Sequence, residues 1–388
     1  IKLTIHFGSN SRYLYTKMII ILTQCFPSRI GGIESLVENL SLELSKTHKV
    51  IVLADQHNKI KDQYYDERQQ NNLSIKRFGG IKFLRKRLKL YYLKKILLSH
   101  KVSCVIGDSW KSFELTINLI NKESVPSLCL AHGNELIIKS KGHESRVKST
   151  LNKISQIVCN SNFTLNLVKE LSIKIDKLTY IYPGAQNFQN LNEETIANIN
   201  GNPLIMTLAR LEKRKGHAFI LSAIAKLKND YQNIQYIIAG SGSELQNLKK
   251  IVKNLDIQKN VIFVGNINNK QKNYLFKRIN LMVMPTIDES INRSIEGFGI
   301  AYLEAAFYAI PSVASNIGGT SEAVLHNDTG LIISDISDLY KVLKNILVDK
   351  NKLKLLGDNA KLRAENEFTW NVIGKKYLQL INNLGIKN

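Results

Sequence analysis

The chain is short of acid. Asp and Glu number 32 against 54 Lys and Arg, which leaves a formal net charge of +22. An excess of that size says nothing about fold, but it selects partners: nucleic acid, a phosphorylated small molecule or an acidic membrane. Cysteine is scarce as well. The four, Cys25, Cys104, Cys129 and Cys159, form no C-x-x-C pair. Each lies in or beside an apolar strand-like run, so buried, reduced thiols in a reducing, cytosolic setting are expected. No apolar run approaches the roughly 20 residues that a bilayer-spanning helix needs. The first 17 residues lack a long apolar stretch and a small-residue cleavage site, so they read as an extension and not as a signal peptide. Two motif absences matter too. Without any D-x-D, an acidic metal-binding pair of that type is missing, and without G-x-G-x-x-G there is no dinucleotide fingerprint.

What is present is a soluble, globular composition, 44% hydrophobic and 22% charged, over 388 residues. That length suggests two domains of ordinary size. From Met18 onward, short apolar runs alternate with segments of helical period. "MIIILTQ" (18–24), "KVIVLAD" (49–55), "VSCVIGD" (102–108), "PSLCLAHG" (126–133) and "QIVCNS" (156–161) read as strands, and "GIESLVENLSLELSK" (32–46) as a helix. The runs are continuous, as in strands covered on both faces, and intervening helices point to parallel, doubly wound sheets. The stretch 182–203, rich in Asn, Gly and Pro, reads as a linker. Alternation then restarts with runs at 204–210, 234–240, 260–265, 279–285 and 309–315, and 338–384 reads as helical. The expected boundaries are 18–185 and 203–368 for the two α/β domains, 186–202 for the linker and 369–388 for a C-terminal helix.

One segment breaks the pattern. Between Asn71 and Gly107 there is no acidic residue, and "KFLRKRLKLYYLKKILL" (82–98) sets seven Lys or Arg among leucines and tyrosines. A solvated helix face, a basic surface resting on anionic lipid, and a nucleic-acid contact all fit such a stretch. No helix-turn-helix, zinc-finger or RNP pattern accompanies it to support the third. The lipid reading assigns Arg85, Lys86, Arg87, Lys89, Lys94 and Lys95 to the membrane surface.

Each half also carries something suited to phosphate. Gly31 and Gly32 sit between the first strand and helix, where backbone N–H groups can approach an anion at a helix N-terminus. In "LARLEKRKGHAFI", Arg210 ends a strand and Lys215 follows five residues on; an Arg fork and a Lys point charge could together clamp a pyrophosphate. "AGSGSE" supplies a second glycine turn at Gly240. The most specific stretch is "EGFGIAYLE". Gly297 and Gly299 permit a tight turn, Phe298 and Ile300 offer backbone N–H groups, and Glu296 and Glu304 bracket it. His132, in "LAHGNE", stands at the carboxyl end of a strand, where open α/β sheets bind ligands.

Taken together, these residues resemble the family-four retaining glycosyltransferases, nucleotide-sugar-dependent enzymes of the GT-B fold. The resemblance runs from "FPSRIGGIESLVENL" through "AHGNE", "SNFT", "YPGA", "LARLEKRKG", "AGSGSE" and "VIFVGNI" to "EGFGIAYLEAAFYAIPSVASNIGG". It implies two Rossmann-like domains facing across a cleft, the N-terminal one for acceptor and the C-terminal one for a UDP- or GDP-sugar, with the last helix packing back on the first domain. It also implies roles. Arg210 and Lys215 would bind the donor diphosphate and stabilise the departing charge, with Gly31, Gly32 and Gly240 beside the phosphates. Glu304 would hold the ribose hydroxyls and Glu296 the sugar hydroxyls, while Gly297, Phe298, Gly299 and Ile300 would line the donor with backbone. His132 would stabilise the reacting sugar. No metal, cofactor or covalent adduct is implied.

Two departures stand out: Gln186 replaces an acid in "PGAQ", and "TIDESINRSI" (286–295) is longer than the shortest family versions. The expected enzyme glycosylates a lipid-linked or saccharide acceptor for surface polysaccharide or glycolipid, at the inner face of the plasma membrane, without nucleic-acid partners. Two other classes remain: a sugar-nucleotide epimerase, which needs no acceptor, and a binding subunit without chemistry, against which intact Arg210, Lys215, Glu296 and Glu304 argue.

Overall fold

The computed structural model describes residues 18–68, 72–289 and 294–386; the N-terminal extension and part of the 286–295 loop lie outside these. Two parallel sheets organise the chain. The first contains β1 (Met18–Thr23), β2 (Lys49–Asp55), β3 (Leu73–Phe78), β4 (Val102–Gly107), β5 (Ser127–Ala131), β6 (Gln156–Cys159) and β7 (Leu178–Tyr180), in the order β3-β2-β1-β4-β5-β6-β7. The second contains β8 (Leu204–Leu208), β9 (Gln235–Ala239), β10 (Val261–Gly265), β11 (Leu281–Met284), β12 (Ser312–Ser315) and β13 (Gly330–Ile333), in the order β10-β9-β8-β11-β12-β13. Every pairing between named strands is parallel.

The central strands are apolar throughout because both faces are covered. All six residues of β1 are buried; Ile20 registers with Ile51 on one side and Val105 on the other. Each such side chain contributes about 1.5–3 kcal/mol of burial. Cys104, Cys129 and Cys159 are buried and Cys25 half-buried, all as free thiols; burial, then Asp108 and Glu34, push the Cys25 thiol up to about 12.

Each sheet reverses its winding direction once, between β1 and β4 in the first and between β8 and β11 in the second. The carboxyl ends of those strand pairs diverge there and leave a crevice. Both candidate regions described below lie near these two points.

The segment between the domains is pinned, not free. Ala185 N–H donates to Phe368 O at 2.9 Å, and the rings of Tyr182, Phe298 and Phe368 meet with centroids 5.0–6.1 Å apart. Gln186 lines the interdomain cleft. The helix Trp370–Ile386 then returns to the N-terminal domain. Its stripe Ile373, Tyr377 and Ile381, four residues apart, enters the core formed by Leu36, Val37 and Leu40. A second tie lies nearer the cleft: the Glu322 carboxylate accepts the N–H groups of Asn162 and Phe163, at 2.7 and 2.8 Å, capping the helix Asn162–Glu170 from the opposite domain.

Candidate functional site

A cleft of about 960 Å³ separates the domains. Gly31 and Gly32 border it from one side; Arg210, Gly240, Ile300 and Glu304 border it from the other. The helix Gly32–Ser45 begins there without a side-chain cap, so its first N–H groups are open to a ligand. Glu34 complicates that end. Its carboxylate lies against Gly31 and pairs with Arg29 at 2.9 Å, so an anion arriving at Gly32 must displace or rotate this pair. The stronger attraction for phosphate therefore lies on the C-terminal side.

That side carries a chain of alternating charge. Arg210, 65% exposed at the side chain, pairs with Glu212 at 2.6 Å and reaches into the cleft. Glu212 also pairs with Arg214 at 3.0 Å, and Arg214 together with Lys215 grips a single oxygen of Glu296. Three cations face two carboxylates, which leaves a surplus of one positive charge. Arg214, Lys215 and Glu296 have nearly buried side chains, so Coulombic forces among them are far stronger than in water. Burial alone would push the Glu296 carboxyl up, yet Lys215 and Arg214 outweigh it and hold it below the usual carboxylate range. Burial lowers the Lys215 ammonium, with Glu296 opposing and Arg214 assisting. Behind them, burial and then Lys215 pull the His217 ring down to about 4. Lys215 thus stands behind Glu296 rather than beside Arg210 on the cleft wall.

The turn that presents Glu296 is shaped by two glycines. Gly299 has φ +105, a left-handed conformation open to glycine, and starts the helix Ile300–Ala306. Gly297 lies so close to the His132 carbonyl of the other domain that a Cβ would overlap it. Ile295 N–H donates to Asn134 Oδ1 at 2.7 Å on the same flank. His132 and the Glu296 turn, 164 positions apart in the sequence numbering, are therefore joined across the domain boundary. His132 N–H donates to Glu135 at 2.7 Å and ring Nε2 to Asp108 O at 2.9 Å. A carbonyl only accepts, so Nε2 carries a proton and Nδ1 is the ring atom left for a ligand. Phe298 is buried and stacked, which leaves its backbone rather than its ring for contact.

Glu304 is buried at the cleft wall and takes both oxygens to Lys272 Nζ at 3.0 Å. Lys272 and Arg214 escaped the sequence reading. Arg214 sits inside the run "KRKG", where nothing distinguishes the buried cation from its exposed neighbours. Lys272 follows the capping box of Asn268 and Gln271, a signal for a helix start and not for its position beside Glu304.

The basic helix Lys82–Ser99 corrects one expectation. Lys89 does not reach a membrane: it is 8% exposed, and Nζ pairs with Asp55 and donates to Thr23 O, each at 2.5 Å. Arg85 is half-buried against Asp55 at 3.3 Å, and Lys86 against Glu114 at 2.7 Å. The reason is helical phase. Lys82, Lys86 and Lys89 fall in step with Leu93, Ile96 and Leu97, which are buried, so these lysines face the domain. Arg87, Lys94 and Lys95 face outward beside an exposed apolar stripe of Leu84, Leu88, Tyr91 and Leu98. No helix among the described residues is long and apolar enough to cross a membrane, and among them no group of three or more His, Cys, Asp or Glu could hold a metal ion.

Comparison with known proteins follows the same division. Residues 30–186 match the model "Glycosyltransferase Family 4", and residues 189–363 match "Glycosyl transferases group 1". A GDP-mannose-dependent alpha-(1-6)-phosphatidylinositol monomannoside mannosyltransferase of Mycolicibacterium smegmatis is 21% identical, over 94% of this chain and 98% of its own. Among solved structures, Anabaena HepE in complex with UDP and glucose superposes with a TM-score of 0.77 at 16% identity, covering 95% of this chain and all of that one. Sucrose-phosphate synthase from Thermosynechococcus elongatus gives 0.78 at 19% identity, covering 96% and 100%. At such identities these structures establish the two-domain fold alone. With both domains matched in order and the GT-B architecture in place, the chain belongs to the family-4 glycosyltransferases.

Proposed function

We propose that this protein moves a sugar from a UDP- or GDP-sugar to a lipid-linked acceptor, with retention at the anomeric carbon and without a metal ion. The observation that carries the reading is the meeting of His132 and the Glu296 turn across the cleft, with Arg214 and Lys215 fixed behind that turn. The donor diphosphate lies along Arg210 and the Gly240 turn on the cleft wall, and Lys215 adds its charge from behind Glu296. Those cations stabilise the charge that develops as the nucleoside diphosphate departs, usually the largest single catalytic contribution in a water-poor site. Glu304, oriented by Lys272, accepts from the ribose hydroxyls; Glu296 accepts from hydroxyls of the transferred sugar. Phe298, Gly299 and Ile300 line the donor with backbone, and His132 hydrogen-bonds near the anomeric centre. The acceptor hydroxyl attacks from the face that the diphosphate leaves, so no enzyme nucleophile takes part.

The mycobacterial relative's phosphatidylinositol monomannoside acceptor supports a glycolipid here. The outward face of the basic helix supports the membrane side of the reading: Leu84, Leu88 and Tyr91 enter the headgroup region of the inner leaflet while Arg87, Lys94 and Lys95 meet anionic lipid. A panel of UDP- and GDP-sugars screened by thermal shift identifies the donor, since a ligand of the native state raises Tm. That donor is then incubated with and without a membrane glycolipid extract and the product read by NMR. A new α-linkage from an α-donor, formed only with extract, is expected. Conversion of donor alone to an isomer would replace transfer with epimerisation.

A further inference from the structure

The N-terminal sheet has its own crevice at the point where winding reverses, between the ends of β1 and β4. Its lining includes Gln24 just beyond β1, Ser112 from the short helix Trp110–Phe113 after β4, and the side chains of Lys82, Lys86, Lys89 and Lys111, with Asp55 as the one acid. Four lysines on one small pocket require a reason, because ammonium groups are costly to gather and to bury. The basic helix sharpens the point. It turns leucines outward to solvent along its N-terminal half and lysines inward, the reverse of ordinary amphipathicity.

Local pairing does not use up this charge. Asp55 is held by Arg85 and Lys89, and Glu114 by Lys86 and Arg146. Asp108 accepts from the hydroxyls of Thr23 and Ser112 and from backbone N–H groups of Gln24 and Cys25. Lys82, Arg85, Lys86, Lys89, Lys111 and Arg146 make six cations against these three carboxylates, a surplus of three. Among the described residues, neither Lys82 nor Lys111 has an ion-pair partner.

The pocket also adjoins the reaction centre. Ser112 Oγ donates to Asp108 Oδ1 at 2.5 Å, and the carbonyl of that same Asp108 holds His132 Nε2. A group seated among the lysines is thus linked through Ser112 and Asp108 to the ring assigned to the transferred sugar.

We propose that this crevice binds a phosphate group of the acceptor, with Lys82 and Lys111 as its direct ligands and Lys86 and Lys89 as flanking charge. The inference rests on the transferase reading and adds the chemical class of the acceptor: a phosphate ester, either a lipid headgroup or a soluble phosphorylated molecule. The site is separate from the donor cleft, which shares none of these lysines.

The test uses the full chain with glycerol 3-phosphate as probe, followed by calorimetry in the presence of saturating UDP or GDP, whichever binds. Saturable binding is expected, weakened at least tenfold in the double variant Lys82→Gln/Lys111→Gln and unchanged in Lys354→Gln, an exposed lysine outside both sites. Displacement of the probe by phosphatidylglycerol vesicles, but not phosphatidylcholine vesicles, assigns the phosphate to a lipid headgroup. Persistence of the probe assigns it to a soluble ester. Binding that survives in the double variant, or that disappears in Lys354→Gln, overturns the proposal. Nucleotide affinity measured on the same proteins keeps the two readings apart. Wild-type protein that binds nucleotide but no glycerol 3-phosphate loses the acceptor site alone, whereas failure to bind any nucleotide removes the transferase reading.

Discussion

Each domain buries a lysine near the crevice where its sheet reverses winding, and each surrounds it differently. Lys89 lies at the crevice between β1 and β4, Lys215 at the crevice between β8 and β11, and both are buried against a carboxylate. Around Lys215 the charges alternate and leave a surplus of one, with Arg210 alone reaching openly into the cleft. Around Lys89 the cations outnumber the acids by three. A nearly balanced, rigid network suits a group whose charge appears only during reaction, because the dipoles are arranged in advance. An unbalanced pocket suits a group that arrives already charged. Each sheet thus carries a basic crevice near its switch point, the C-terminal one proposed for the leaving diphosphate and the N-terminal one for an acceptor phosphate.

Substitution at the two lysines breaks this comparison most severely. Lys215→Ala is expected to lower kcat by roughly 10²–10³-fold, the range typical for losing one charge-stabilising donor. Lys89→Met, at the corresponding point, is expected to leave nucleotide affinity within twofold. Steady-state kinetics and nucleotide titration check both. Equal losses of nucleotide affinity at both positions would erase the distinction.

Next in size is the effect on membranes. Reversing the outward Arg87, Lys94 and Lys95 to Glu removes three cations, each worth about 1 kcal/mol at an anionic surface. Flotation with phosphatidylglycerol vesicles should show binding fall by roughly 100-fold. The inward Lys86→Gln, paired with Glu114, should change flotation little. The reverse order of effects would return the inner lysines to the membrane.

A third effect, of similar size, is one of pH. His217 beside Lys215 has its pKa lowered to about 4 by burial and then by Lys215. The unfolded chain, with its ordinary pKa near ~6.5, then binds a proton that the folded protein refuses. Stability is therefore full above ~6.5 and declines as pH falls toward the folded value, by up to about 3 kcal/mol. Denaturant melts of wild type and His217→Gln between pH 4 and 7 should show the slope flattened in the variant. No comparable His faces Lys89 among its charged neighbours, Asp55, Asp108 and Arg85.

Much of this was readable from residues alone, and the exceptions have physical reasons. β1 and β2 are legible because a strand covered on both faces must be continuously apolar. β3, "LSIKRF", gives a weak signal because it is an edge strand with only Leu73 and Phe78 buried. β7, three residues long with none fully buried, carries no apolar run. The pairs R-x4-K and E-x7-E announced themselves, but which cation is buried depends on how the loop folds, so Arg214 was hidden beside Lys215. Lys89 lies on the inner face in phase with Leu93, Ile96 and Leu97, a placement that helical period carries and charge content alone does not.

The central claim is that the cations of the C-terminal domain grip the donor's diphosphate. Calorimetric titration of nucleoside diphosphate against the bare nucleoside, in wild type, Arg210→Ala and Lys215→Ala, tests it most directly. The account predicts a preference for the diphosphate of roughly 100-fold or more in wild type, sharply reduced in both variants. An undiminished preference in the two variants would contradict it.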